Sequence, residues 1–409
     1  MTIETIAGGH ITTPRGFRAG AVCAGMYAGG AKAGSLDLAL LISDRPCAVA
    51  GVFTTNLVKG APVVLSQERV AAGRVRAIVA NSGCANSLNG PGGYEDANEM
   101  AGLAAKRLGI DPEEVAVAST GVTGVRMPME KIRAGIPKVA VSADGGPALA
   151  RAIMTTDTRP KEIAVRAGGP ASPAGRRYAI GGCAKGSGMI HPDMATMFTF
   201  VTTDAEVEPG FLRAVQREVA DETLNMISVD GDMSCSDTFL VLANGAAGLP
   251  RIAAGTAAAA EFKQALLAVC THLARELARD GEGAKRLIEV VVVGAASRDD
   301  ARRVARTITT SPLVKTAVAG CDPNWGRILV AAGRAGAALV ESKMSLRLQG
   351  EPLLVRGSIQ PFDERAVSDK LDADEVRIEL DLGLGDGSAT AWGCDLTTDY
   401  VHINADYRT

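Results

Sequence analysis

The sequence predicts an α/β protein whose sheets are mixed or largely antiparallel. Short apolar runs typical of strands alternate with longer segments of helical periodicity, but they do not follow a strict βαβ order. Near the C-terminus, Val376, Ile378, Leu380 and Leu382 occupy every second position, which is typical of a strand with one buried face. A length of 409 residues allows two domains or one large layered unit.

The first half of the chain is predicted to contain five strands and two helices. The first of these helices is predicted because several alanines share one face and Gly109 follows its last residue. The strands are predicted at residues 36–43, 48–54, 63–66, 75–80 and 115–119, and the helices at residues 94–108 and 147–154.

The second half of the chain is also predicted to contain both strands and helices. The helix that begins at Pro209 follows Glu208, and both residue types favour a helix N-terminus. A stretch rich in Gly, Pro, Ala and Ser at residues 167–177 is the best candidate for a linker. Strands are predicted at residues 196–201, 238–243 and 288–293 and through most of 344–407, and helices at residues 209–225, 257–279, 298–307 and 325–332.

Composition excludes several classes of function. A net charge of -3 without a basic tract, and 4% aromatic residues, argue against a nucleic-acid or membrane partner. The eight cysteines form no Cys-x-x-Cys pair and do not cluster with the four histidines, so no metal site is predicted. Scattered cysteines are typical of a reduced, cytoplasmic protein. We see no signal peptide and no apolar run of the roughly 20 residues that span a membrane.

The segment Lys-Gly-Ser-Gly-Met-Ile-His-Pro-Asp-Met-Ala-Thr-Met at residues 185–197 is the most informative part of the chain. Thr196 opens an apolar run that is predicted to form a strand. A threonine hydroxyl is a weak nucleophile and needs an adjacent base. If the peptide bond before Thr196 were cut, the new α-amine would supply that base on the same residue. The residues alone leave open a loop with a buried threonine.

Two other motifs are interpreted as turns. The Gly-Leu-Gly-Asp-Gly sequence at residues 383–387 is not followed by a helix, so we predict a hairpin turn and not a dinucleotide site. The Asp-Gly-Asp sequence at residues 230–232 lacks the spacing of a calcium loop, and we predict a structural turn there.

The segment around Thr196 resembles the self-cleavage signature of the ornithine acetyltransferase family (bifunctional glutamate N-acetyltransferases). Further motifs with the order and approximate spacing of that family extend the resemblance over nearly the whole chain. They are Gly-Val-Phe-Thr-Thr-Asn at 51–56, Asn-Ser-Gly-Cys-Ala-Asn at 81–86, Thr-Thr-Asp-Thr at 155–158, Val-Asp-Gly-Asp at 229–232, Ser-Pro-Leu-Val-Lys-Thr at 311–316, Asp-Pro-Asn-Trp-Gly-Arg at 322–327 and Ile-Asn-Ala at 403–405.

The resemblance implies a fold and a division of the chain. The fold is an αββα-type layered sandwich with a smaller C-terminal α/β region at about residues 285–409. Self-cleavage would give an N-terminal part, 1–195, and a C-terminal part, 196–409, which build the core together and pair as an α2β2 assembly.

The resemblance also implies the site residues. Thr196 matches the nucleophile, and Ala195 precedes the bond that is cut. Thr120 and Gly121 match the oxyanion hole. The matching substrate-binding residues are Thr156, Lys185, Thr196, Glu282, Asn404 and Thr409, and the sequence does not decide between Thr155 and Thr156.

The implied activity is acetyl transfer from N-acetylornithine to glutamate through an acetyl-Thr196 intermediate, with ping-pong kinetics and amino acids as substrates. No cofactor is implied, and the use of acetyl-CoA as a donor is left open. Three alternatives remain: a related hydrolase or aminopeptidase, an acetyltransferase of secondary metabolism with another acceptor, and a binding protein that is never cut.

Overall fold

The computed structural model of the chain describes residues 3–27, 32–168, 177–191 and 197–406. Within these ranges the strands are β1 (Glu4–Thr5), β2 (Phe17–Val22), β3 (Leu38–Ser43), β4 (Ala48–Phe53), β5 (Ala77–Asn81), β6 (Val115–Ser119), β7 (Lys161–Ala167), β8 (Tyr178–Lys185), β9 (Phe198–Thr203), β10 (Ile227–Ser228), β11 (Thr238–Ala243), β12 (Leu287–Ala295), β13 (Ser345–Leu348), β14 (Glu351–Val355), β15 (Ser358–Ile359), β16 (Glu375–Asp381) and β17 (Gly387–Cys394). The helices are α1 (Ala61–Ala72), α2 (Gly90–Leu108), α3 (Met129–Gly135), α4 (Gly146–Ala152), α5 (Pro209–Glu222), α6 (Ala257–Arg279), α7 (Arg298–Thr309), α8 (Pro312–Ala319), α9 (Trp325–Gly333), α10 (Glu364–Leu371) and α11 (Thr398–Asp406).

Two sheets face each other in the centre of the molecule. One has the strand order β1-β7-β8-β9-β11-β4, and the other has the order β2-β3-β5-β6. Phe17, Leu41 and Ile78 from the second sheet pack against Phe200 and Leu242 from the first. Helices α1, α2 and α3 cover the outer face of the four-stranded sheet, while α5 and α6 cover the six-stranded sheet. The predicted αββα layering is therefore confirmed.

A third sheet is formed mainly by the C-terminal region. Its order is β10-β17-β12-β16-β13-β14-β15, with β12 parallel to β16 and antiparallel to β17. Strand β16 buries Val376, Ile378 and Leu380, as the alternation predicted. Helix α6 contacts this sheet as well as β7 and β8. One apolar core therefore includes residues of the six-stranded sheet, α6 and this third sheet.

Several predicted elements are wrong or were missed. Residues 63–66 lie in α1 and not in a strand, because a four-residue apolar run does not distinguish the two. Residues 398–406 form a helix and not a strand. Strand β8 was missed because its sequence is rich in Ala and Gly and shows neither alternation nor a run of large apolar residues. Strands β7 and β8 pair as an antiparallel hairpin, and residues 169–176 of the predicted linker at 167–177 lie outside the described residues.

Burial of the cysteines fits the compositional prediction of reduced thiols. All eight cysteines are free thiols, and five of them are buried, where they act as small apolar core residues. Within the described ranges, no helix has the length and hydropathy needed to cross a membrane.

Candidate active site

A cavity lies where the C-terminal ends of β6 and β8 meet the N-terminal ends of β9 and β11. Met197 and Asp237, next to the starts of β9 and β11, form part of its wall. The structure brings six of the predicted site residues to this cavity: Thr120, Gly121, Thr156, Lys185, Glu282 and Asn404. The predicted Ala195, Thr196 and Thr409 lie outside the described residues. Met197, which follows Thr196 in the sequence, lines the cavity.

The turn after β6 brings backbone to the cavity at close range. The Thr120 amide donates to the Asn81 carbonyl oxygen at 3.1 Å, which continues the pairing of β5 and β6. Gly121 has φ +124°, and a Cβ atom there would lie 2.5 Å from the carbonyl carbon of Gly83. Such an approach has no room for a side chain, so this position requires glycine.

Lys185 is a buried cation on one side of the cavity. It is 8% exposed, and its Nζ donates to Thr120 Oγ1 at 3.0 Å and to Thr155 Oγ1 at 3.2 Å. Burial lowers the pKa of Lys185, while the carboxylate of Asp157 acts in the opposite direction. Of the pair Thr155 and Thr156, Thr155 accepts a hydrogen bond from Lys185, and both residues line the cavity.

Carboxylates form the other side of the cavity. Glu282 is 6% exposed and accepts a hydrogen bond from Asn404 Nδ2 at 2.8 Å. A side chain at Gly188 would collide with the Glu282 carboxyl group, so glycine permits this approach. Asp230 accepts hydrogen bonds from the Met189 and Ile190 amides. The predicted structural turn at Asp230 is therefore also part of the cavity wall.

Comparisons with known proteins identify the family of this chain. The ArgJ family model matches residues 22–409. The chain belongs to the ArgJ family. It is 51% identical over 408 residues to the arginine biosynthesis bifunctional protein ArgJ of Dehalococcoides mccartyi strain CBDB1, covering 100% of this chain and 99% of that protein. It is 53% identical over 409 residues to the protein of the same name from Symbiobacterium thermophilum, covering 100% of both.

A solved structure also matches this ArgJ-family chain. The crystal structure of arginine biosynthesis bifunctional protein argJ from Bacillus halodurans is 42% identical, with a TM-score of 0.50. The match covers 51% of this chain and 98% of that one.

Below the cavity of this ArgJ-family chain lies a buried ion network that the sequence did not reveal. Lys161 Nζ is 2.6 Å from Asp157 Oδ1 and 2.6 Å from Asp280 Oδ2. The side chains are 0%, 0% and 3% exposed, respectively. Burial alone would raise the pKa of Asp157, but the charges of Lys161 and Lys185 outweigh it and lower that pKa to about 2.

This network joins the segments that carry the site. Asp157 accepts hydrogen bonds from the Gly186 amide at 2.7 Å and from the Thr155 amide at 2.9 Å. It therefore holds the backbone of both segments that meet at the hydrogen bond between Lys185 and Thr155. The Asp280 carbonyl accepts from Ser187 Oγ at 2.6 Å. Because Lys161 and Asp280 are 119 positions apart, no local pattern could have predicted their pairing.

Proposed function

We propose that this chain is an acetyltransferase of arginine biosynthesis that moves an acetyl group from N-acetylornithine to glutamate. One observation carries the proposal. A single cavity combines the Thr120–Gly121 turn, the buried cation of Lys185 and the buried carboxylate of Glu282, and its wall includes the residue that follows Thr196. Membership of the ArgJ family supports the same reaction.

In the proposed mechanism, the Thr196 hydroxyl first attacks the carbonyl carbon of Ala195. The resulting ester is hydrolysed, which leaves a free α-amine on Thr196. That amine then takes the hydroxyl proton when the hydroxyl attacks the acetyl group of N-acetylornithine, and the proton passes to the departing amine of ornithine. Glutamate attacks the acetyl-Thr196 ester in the second half-reaction.

The other residues of the cavity bind charged groups of the substrates and of the intermediate. A tetrahedral intermediate carries an oxyanion, and the turn at Thr120 and Gly121 can place donors against it. Lys185 can bind a carboxylate as a point charge, and Glu282 can bind the cationic amine of the donor. Thr156, Asn404 and Thr409 complete the proposed substrate-binding set.

We further propose that the two parts stay together as an α2β2 assembly in the cytoplasm. Free thiols at all eight cysteines support a reducing compartment. The use of acetyl-CoA as a second donor is tested by supplying it in place of N-acetylornithine and measuring acetylation of glutamate.

The first test is the intact mass of freshly purified protein together with steady-state kinetics. We expect two fragments, the second with the N-terminal sequence Thr-Met-Phe of residues 196–198. Double-reciprocal plots should give parallel lines, because the acetyl group leaves the donor before the acceptor reacts. Acetate release that does not depend on glutamate would favour a hydrolase, and an uncut, inactive chain would favour a binding protein.

A second prediction concerns Gly121. Gly121→Ala should reduce kcat of acetyl transfer about 100-fold or more, because the added Cβ displaces the turn from the oxyanion site. Gly124→Ala is the matched control, since Gly124 also has positive φ (+69°) but has no atom within 4 Å of the added Cβ. Equal losses in the two variants would point to backbone strain alone and would contradict the oxyanion assignment.

A further inference from the structure

The Asp237 carboxyl group is a buried acid in the cavity wall that the mechanism above does not use. Asp237 is 2% exposed, and its Oδ2 atom has no hydrogen-bond partner in the described part of the chain. The hydroxyl groups of Ser234 and Thr54 lie beside the carboxyl group and favour its charged form. Buried polar atoms are nearly always paired, because an unpaired one costs about 1–3 kcal/mol. The free oxygen therefore requires an explanation.

The sheet places Asp237 beside the start of the C-terminal part. Strands β11 and β9 are parallel, with Thr238 paired to Phe198. The Thr238 amide donates to the Met197 carbonyl oxygen at 2.9 Å. Asp237 therefore stands opposite Met197, the residue that follows Thr196 in the sequence.

The other buried ionisable groups of the cavity are already engaged. Lys185 donates hydrogen bonds to two threonine hydroxyls, and Glu282 accepts a hydrogen bond from Asn404. Asp230 accepts from two backbone amides. The remaining ionisable groups that face the cavity are Asp232, which is exposed, Cys235, whose Sγ lies 3.5 Å from Ser236 Oγ, and Tyr400, which is hydrogen-bonded to Asp230. Among the described residues of the cavity, Asp237 is the buried carboxyl with a free oxygen.

Self-cleavage needs a proton carrier that acetyl transfer does not need. Before the chain is cut, the nitrogen of Thr196 belongs to an amide and is not basic. The pairing of a hydroxyl with its own α-amine exists only after cleavage. A group outside Thr196 must therefore protonate the leaving nitrogen and accept the hydroxyl proton in the first step.

Building on the proposed function, we propose that Asp237 is this proton carrier. The Thr196 oxygen forms a bond to the Ala195 carbonyl carbon, and the C–N bond breaks as the Asp237 carboxylic acid gives its proton to the nitrogen. The Asp237 carboxylate then takes the proton of the Thr196 hydroxyl and is an acid again. Water hydrolyses the ester and restores the hydroxyl, so Asp237 ends the step unchanged.

The environment of this carboxyl group favours its protonated form. Burial raises the pKa of Asp237 well above its usual range, and the charge of Lys185 only partly opposes this effect. Burial therefore favours the acid form that the first proton transfer requires.

The test is the rate of self-cleavage of Asp237→Asn, followed by intact mass after cell-free synthesis. We expect cleavage to slow about 100-fold or more, which is the usual contribution of a general acid. Glu162→Gln is the matched control, since Glu162 is another carboxyl with an unpaired oxygen and a pKa raised to about 7 by burial, but it lies outside the cavity. Cleavage of Asp237→Asn at the wild-type rate would overturn the proposal.

Pre-cut protein separates this role from acetyl transfer and from folding. Residues 1–195 and 196–409 are co-expressed as two chains, with Asp237→Asn in the second, so that Thr196 starts with a free amine. We expect this pair to regain acetyl transfer, and an inactive pair would overturn the proposal. In uncut Asp237→Ala, formate should restore cleavage and chloride should not. A wild-type chain that is never cut would instead contradict the proposed function.

Discussion

Replacing Thr196 by alanine is expected to leave one uncut chain of 409 residues and to abolish acetyl transfer. The substitution removes the hydroxyl that attacks Ala195, so no ester can form and no α-amine is released. It also removes the atom that would carry the acetyl group. Intact mass and a transfer assay with N-acetylornithine and glutamate measure both losses on one sample.

Two variants control this result. Thr196→Ser keeps a hydroxyl and should still be cut and active, although more slowly. Thr199→Ala removes the buried hydroxyl of a threonine in β9, which has no hydrogen-bond partner within the described residues, and it should leave cleavage and transfer close to wild type. Acetyl transfer by uncut Thr196→Ala would refute the assignment of the nucleophile.

The sequence predicted elements best where the local signal was strong. Helix α6 was predicted at its observed bounds, and in the structure the Thr256 side chain caps it by accepting from the Ala259 amide. Strand β8 was missed because eight consecutive buried residues rich in Ala and Gly show no period. Strands β3 and β11 are also buried along their whole length, but their runs of large apolar residues were enough to predict them.

The site was predictable for a different reason. Thr120, Lys185 and Glu282 carry no distinctive local pattern, and only the family resemblance marked them before the structure placed them in one cavity. Asp157 was marked only as part of the Thr-Thr-Asp-Thr motif, without a role, and Asp237 was not marked, because their importance comes from burial and from partners distant in sequence. The proposed roles of these residues stay predictions until the variants are measured.

Replacing Lys161 by methionine is expected to lower the free energy of unfolding by about 3–5 kcal/mol. Methionine keeps the length of the side chain, but Asp157 and Asp280 are then left buried without the cation that lies 2.6 Å from each. Urea unfolding measures the change in an uncut Thr196→Ala background, where unfolding involves a single chain. Acetyl transfer by the cleaved protein should fall as well, because Asp157 positions the backbone on both sides of the Lys185 contact.

Lys263→Met is the matched control for this loss. Lys263 also pairs with two carboxylates, Glu218 at 3.0 Å and Glu222 at 3.4 Å, but its side chain is 32% exposed. Exposed ion pairs are worth about 0–1 kcal/mol, so this variant should unfold close to the parent. A loss of similar size in both variants would show that burial of the Lys161 network is not what makes it stabilising.

The pH dependence of unfolding separates lost charge from lost packing at Lys161. The folded-state pKa of Asp157 is about 2, below its ordinary value of 3.8, so its stabilising contribution is present above pH 3.8 and is lost as the pH falls towards 2. In Lys161→Met, burial acts on Asp157 with less opposing charge, so the folded-state pKa of Asp157 rises. Protonation of Asp157 then removes a buried unpaired charge and so reduces the loss of stability in the variant. The unfolding free energies of the parent and the variant should therefore converge on acidification. A difference that stays constant down to about pH 3 would mean that packing of the Lys161 side chain, and not its charge, stabilises the fold.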